Sequence, residues 1–346
     1  MKRRIALILA MCTLFCFFTA CRNTDGSPET TTEPAATQSP EEEKILRILT
    51  IGNSHSNDAT QLLWEVFKHE NPEQKVMLGT LYHDGCNMSQ HADFITNKKP
   101  EYVFYTNEDG KWNSIEAATV EYALKTYQWD VVVMQQMNNL AALDSYYNAA
   151  DWMTVINHIF ANQKVAPKLV FHMTWTNPSD YEMYLNDGAP LAHPNPPVWR
   201  NFHEKNFANI EGKYDQKIMY EKVVASVQKY LVNTEAFLGK NYYEYIIPSA
   251  AAIQYAQDVL GRPQPEIYRD YTHMNDYGRL MVAYLWYAKI MGLSSIDAAN
   301  VSEIPQHLHH HKSQYPTMGV VDDKMKADIV ASVNWALANP FAMPQQ

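Results

Sequence analysis

The sequence predicts an α/β fold in which a doubly wound, mainly parallel sheet is covered on both faces by helices. Three observations predict it. Val131 to Met134 is apolar at every position, which marks a strand buried on both faces. β-rich apolar runs alternate with helical patterns along most of the chain, the ordering of parallel strands joined by helical crossovers. The stretch Ile45 to Leu63, ILRILTIGNSHSNDATQLL, joins a β-branched run ending at Gly52 to an amphipathic pattern through Asn53-Ser54-His55-Ser56. That reads as strand, tight turn and helix, with Ser56 or Asn57 as the cap.

The elements follow in order. Lys2-Arg3-Arg4 and the apolar run Ile5 to Phe18 have the layout of a secretory signal over residues 1–20, too short to span a bilayer comfortably. Thr19-Ala20-Cys21 resembles the lipobox of bacterial lipoproteins, which implies a lipid anchor on Cys21 and a membrane partner; an ordinary cleaved signal is the alternative. Residues 21–44 are rich in Ser, Thr, Pro and Glu and read as a flexible tether. The folded domain is expected over 45–346. Of the four cysteines, Cys12 and Cys16 fall in the signal. With Cys21 lipidated, Cys86 has no partner for a disulfide and reads as a small buried residue.

Within the domain, Lys75 to Tyr82 is expected as the second strand, leading to Gly85. Tyr102 to Trp112 reads as a hairpin turning at Asn107-Glu108-Asp109-Gly110, and Ser114 to Tyr127 as a helix presenting Ile115, Ala118, Tyr122 and Leu124 to the core. A helix at Ala150 to Asn162, a strand at Lys168 to Met173, a helix at Asp215 to Val232 and a strand at Tyr243 to Ile247 continue the alternation. The last helix of this series, Asn275 to Met291, is closed by Gly292. The Pro- and Asn-rich segment of about 176–213 is longer than an ordinary connection and reads as a lid-like insertion, with a plain surface insertion as the alternative. Trp175 before it, and Trp199 and His203 within it, are the candidates for contacting substrate.

Ser54 would sit where a strand meets the positive end of a helix, a position that favours developing negative charge; plain turn punctuation is the bland reading. Far downstream, Asp270-Tyr271-Thr272-His273 spaces a carboxylate and an imidazole so that Asp270 can accept from one ring nitrogen and leave the other for a serine proton. The pair of motifs, GNS near the start of the domain and DxxH near its end, resembles the SGNH (GDSL-type) hydrolase superfamily, and within it a bacterial branch whose first block reads GNS. The resemblance spans roughly Leu46 to Gly292. It implies a flavodoxin-like three-layer sandwich with Ser54 as nucleophile, His273 as general base and Asp270 as its orienting carboxylate. It also implies an oxyanion hole from the backbone N–H groups of Ser54 and Gly85 and the side chain of Asn138. The third block departs from the family's GxND, reading Gln136-Met137-Asn138-Asn139, which leaves Gln136 as the substitute donor.

Composition narrows the partners. The chain carries 28 basic against 38 acidic residues, a net charge of −10, which argues against nucleic acid. No Walker-type loop or GxGxxG occurs among the 12 glycines, so no nucleotide cofactor is expected, nor any other cofactor. His307, His309, His310 and His311 are read as a solvated loop, or a loop bordering the site, and not as a metal site, since no HExxH helix is present. Ser56 replaces the second glycine of GxSxG, which excludes the nucleophile elbow of α/β-hydrolases. Asp322-Asp323 reads as a helix start. The expected protein is a lipid-anchored envelope esterase that removes O-acyl groups, chiefly acetyl, from an acylated glycan. An acyltransferase on the same residues and a non-catalytic glycan-binding lipoprotein are the alternatives.

Overall fold

In the computed structural model, residues 44–179, 196–297 and 321–345 are described. Seven strands, β1 Leu46–Gly52, β2 Val76–Tyr82, β3 Tyr102–Asn107, β4 Trp112–Ala118, β5 Val131–Gln135, β6 Lys168–His172 and β7 Tyr243–Ile247, form one sheet in the order β4-β3-β2-β1-β5-β6-β7. β1 pairs in parallel with both β2 and β5, and β5, β6 and β7 continue in parallel. β3 and β4 close the other side as an antiparallel hairpin. This is the doubly wound sheet that the patterning predicts. β1 lies at its centre because Ile48, Leu49 and Ile51 are buried, and β5 is buried at every position, as strands covered on both faces must be.

The helices Ser54–Thr60, Leu63–Glu70, Ser249–Asp258, Asp276–Met291 and Asp323–Ala338 pack among themselves against one face of the sheet. Met88–Thr96, Val120–Thr126, Ala149–Ala161 and Glu235–Leu238 pack together against the other, as right-handed crossovers in both directions from β1 require. The order in which strands are added therefore reverses at β1, and its carboxyl end is the topological switch point where such sheets place their sites. Helix Asp276–Met291 is buried continuously from Asp276 to Ala288, because it runs among its neighbouring helices and has no solvent face.

Several expectations are corrected. The chain from Ser114 to Ala118 is not helical: it is most of β4, paired with β3, and the helix begins at Val120, capped by the Thr119 side chain, which accepts from the Tyr122 N–H. Ile115 and Tyr122, expected in the core, are each 45% exposed. Glu and Ala favour a helix here, but pairing along the hairpin overrides propensity. Helix Met88–Thr96, opened by a capping box of Asn87 and Gln90, and helix Ser249–Asp258 were not anticipated. The first helix begins at Ser54, capped by Asn53 and not by Ser56 or Asn57.

Part of the lid-like insertion is a regular helix, Pro196–Phe207. The signal at 1–20, Cys21, the tether up to residue 43, residues 180–195 and the cluster from His307 to His311 lie outside the described residues. Among the described residues no helix is long and apolar enough to cross a membrane.

Candidate active site

The carboxyl ends of β1, β2 and β5 are tied together by one side chain. Asn53 Oδ1 accepts from the His55 N–H (3.0 Å) and from Gln135 Nε2 at the end of β5, while Nδ2 donates to the Cys86 carbonyl (2.9 Å) beyond β2. Ser56 Oγ adds a 2.8 Å bond to Gln135 Oε1. Gly52 makes this closeness possible, since a Cβ there would stand 2.2 Å from Ser56 Oγ and 2.9 Å from the Gln135 side chain. Ser54 is thereby held as the first residue of its helix, where its N–H has no intrahelical acceptor.

Ser54 Oγ lies 2.8 Å from His273 Nε2, and His273 Nδ1 lies 2.8 and 3.0 Å from the two oxygens of Asp270. The line is continuous: carboxylate, imidazole, hydroxyl. Asp270 stands before the helix, which begins only at Asp276. It closes a turn, with Oδ1 accepting from the N–H groups of Thr272 (2.9 Å) and His273 (2.7 Å), and the following helix is capped by Asn275. The same carboxylate therefore shapes the turn and orients the ring. Burial opposes its ionisation, but the His273 charge and hydrogen bond and the Arg269 cation outweigh burial and hold the Asp270 carboxyl below the usual range.

The turn is anchored by residues the motifs do not show. Asp58, buried in the first helix, accepts from Arg269 Nη1 (2.9 Å), Arg279 Nε (2.9 Å) and the Met274 N–H (2.9 Å). Burial works against its charge, yet the two guanidinium groups keep the Asp58 carboxyl far below its ordinary value. The helix that presents Ser54 is thus bolted to the turn that presents His273.

Gly85 has φ +58°, with nothing within 4 Å of where a side chain would begin, and precedes Cys86, whose carbonyl Asn53 holds. Among the described residues its N–H has no hydrogen-bond acceptor. Ser54 and Gly85 therefore offer two N–H groups at the adjoining ends of β1 and β2. The two side chains expected to complete the set are engaged elsewhere. Gln136 Oε1 accepts from the Met88 and Met137 N–H groups and its Nε2 donates to the Tyr146 carbonyl. Asn138 Nδ2 donates to Asn177 Oδ1 (2.6 Å) and Thr272 Oγ1 (3.2 Å).

The orientation of Asn138 is set from a distance. His203 Nδ1 faces the Trp199 carbonyl oxygen at 2.8 Å and so carries the proton, leaving Nε2 to accept from Asn177 Nδ2 at 2.6 Å. Asn177 then turns its oxygen to Asn138, whose amino group is used up. His203 is 0% exposed, which removes it from direct contact with substrate. Trp175 is also 0% exposed; its indole donates to the Thr272 carbonyl (2.8 Å) and its ring lies 4.7 Å from His55, so it props the turn from below. Trp199 is half-buried and lies 5.1 Å from Tyr271, whose ring is 6.4 Å from His273. Of the three aromatic candidates it alone keeps accessible surface near the turn. His55, 5.9 Å from the His273 ring, is pushed down to about 3 by burial and by the neighbouring His273 and stays neutral.

Among the described residues no group of His, Cys, Asp and Glu is disposed to hold a metal ion. Cys86 is buried and burial pushes its thiol up, so it packs as the sequence suggests and is no nucleophile. Sequence reasoning missed Asp58, Arg269 and Arg279; the only available signal was an acidic residue four after Ser54 and basic residues flanking DxxH.

A family model described as "Domain of unknown function (DUF4886)" matches residues 47–187, a span that holds Ser54 and Gly85 but not Asp270 or His273. Among solved structures, a DUF4886 family protein from Bacteroides uniformis is similar at 23% identity with a TM-score of 0.63, the match covering 87% of this chain and 97% of that one. A candidate SGNH hydrolase from Slackia heliotrinireducens aligns at 16% identity and TM-score 0.42 over 72% of this chain and 100% of that one. A family 3 carbohydrate esterase from Clostridium thermocellum aligns at 16% identity and TM-score 0.39 over 72% and 97%. The first shares the fold. No curated protein matches the chain.

Proposed function

We propose that this chain is a serine esterase of the SGNH type that removes O-acyl groups, most simply acetyl, from carbohydrate at the bacterial envelope. The observation that carries the reading is the unbroken line from Ser54 Oγ through His273 to Asp270, beside two backbone N–H groups. In this reading Ser54 Oγ attacks the ester carbonyl as His273 Nε2 takes its proton. The oxyanion forms against the N–H groups of Ser54 and Gly85, and His273 returns the proton to the departing sugar oxygen. Water, activated by the same imidazole, then frees the acid. Ser54 and His273 are both partly open to solvent, which favours water over a second sugar as acceptor and hence hydrolysis over transfer. The departures at Gln136 and Asn139 do not touch this line. A carbohydrate is favoured by Trp199 and Tyr271 beside His273, rings suited to the apolar face of a sugar.

Release of acetate from acetylated xylan and of p-nitrophenol from p-nitrophenyl acetate tests the reading. Asp270→Asn is expected to lower kcat by up to about four orders of magnitude, since the imidazole loses its tautomer and the partner of its cation. A variant that turns over at the wild-type rate and only melts slightly earlier reduces Asp270 to a turn former.

Anchoring through Cys21 is part of the proposal, resting on the run before it. Cys21→Ala is expected to move the protein from the membrane fraction to the soluble fraction, because a multiply acylated cysteine holds where no chain would. A wild-type protein already soluble after signal cleavage removes the anchor.

A further inference from the structure

A cleft of about 620 Å3 opens between the start of helix Gln216–Val227, the end of helix Ser249–Asp258 and the segment Arg262 to Gln264, and neither Ser54, Asp270 nor His273 lines it. Four of its lining side chains are glutamines: Gln216, Gln254, Gln257 and Gln264. Three lining residues are fixed at one end and unspent at the other. Gln254 donates through Nε2 to Asp258 (3.0 Å), Gln257 accepts through Oε1 from Gln216 (2.8 Å), and Arg262 is held by Asp328 and Glu266. Their remaining atoms, Gln254 Oε1, Gln257 Nε2 and Arg262 Nη2, are buried without a hydrogen-bond partner among the described residues. Leaving such atoms unpaired is costly. One acceptor and two donors of the lining residues are thus left unsatisfied beneath the cleft wall, within reach of a ligand only once their side chains shift.

The chemistry of the walls selects the ligand. Arg262 is neutralised by Asp328 and Glu266, and Lys217 faces Asp258 at 3.6 Å, so nothing draws in an anion. Pro263 and the largely buried Tyr214 are the only apolar lining residues among those described, too little for an apolar chain. What remains is a neutral ligand dense in hydroxyl groups. The cleft also adjoins the turn, because Gln216 Nε2 bonds Thr176 Oγ1 and Tyr268 Oη, and Tyr268 stands two residues before Asp270.

We propose that this cleft is a second glycan-binding site, which holds a neutral, unesterified stretch of the same sugar chain whose acyl group reacts at Ser54. It deepens the esterase reading and rests on it. The test is calorimetric titration of the full-length protein with unesterified xylohexaose, cellohexaose and chitohexaose. At least one is expected to bind, and Gln257→Ala and Gln254→Leu to weaken that binding at least about tenfold. Gln257 is half-buried, so its variant keeps the fold if the other does not. On the acetylated form of the bound oligosaccharide the same variants are expected to raise KM at least about tenfold, with kcat on p-nitrophenyl acetate changed less than about twofold. Binding of none of the three, or binding that both variants leave intact, overturns the cleft. A protein that hydrolyses neither ester removes the esterase reading instead, and the titration still decides whether the cleft takes a glycan.

Discussion

Ser54→Ala is expected to lower kcat on p-nitrophenyl acetate by up to about 10⁶-fold, the scale on which a serine hydrolase loses its nucleophile. The residue left behind has no oxygen to add to the carbonyl, and the N–H groups of Ser54 and Gly85 would stabilise only the slow attack of water. The fold should not notice the change. Among the described residues the Ser54 hydroxyl bonds only to His273 Nε2, and helix capping rests on Asn53. Melting temperature is therefore expected to stay within a few degrees of wild type. His273→Ala should fall as far, and the double variant no further, because nucleophile and base act as a unit. A folded Ser54→Ala protein with full activity ends the hydrolase reading.

The largest expected loss of stability follows from Asp58→Asn. Arg269 and Arg279 both rest on this carboxylate, and the three side chains are almost wholly buried. Removing the negative charge leaves the two buried cations to Asp276, 3.1 Å from Arg279, and Asp270, 3.8 Å from Arg269, which costs about 3 kcal/mol. Urea denaturation measures it as a lower midpoint with an unchanged slope. The effect has a definite pH dependence. The Asp58 carboxyl is held below its ordinary value of 3.8 in the folded chain, so its contribution is fully present above that value and is lost as pH falls through the depressed one. The gap between wild type and Asp58→Asn should therefore be constant near neutrality and close in acid. A variant as stable as wild type at pH 7 would show that the two arginines find other partners.

How much of this was legible differs by residue. The sheet was readable because Val131 to Met134 and the run ending at Gly52 carry their burial in their composition. Ser54, Asp270 and His273 were readable because each stands in a short motif. Ser114 to Ala118 was not, since an exposed edge strand has no apolar period to betray it and its residues favour a helix. Asn138 was placed by motif alone, and what decides its role is the tautomer of His203, set by a carbonyl at Trp199. No local pattern carries that information. Asp58, Arg269 and Arg279 stand in no motif; only the folded chain shows that they are one buried cluster.

That cluster also bears on when the molecule becomes competent. Ser54 meets His273 across 219 positions of sequence, and Asp58 meets Arg279 across 221. Contacts so distant along the chain form late, after the loop-closure entropy between them has been overcome. The first half of the domain can complete β1, β2 and β5 and still possess no chemistry. A polypeptide that stops, or is cleaved and loses its tail, before His273 would keep Ser54 and have no imidazole to activate it. On the proposed reading, esterase activity in a preparation would then count only molecules that have closed these contacts.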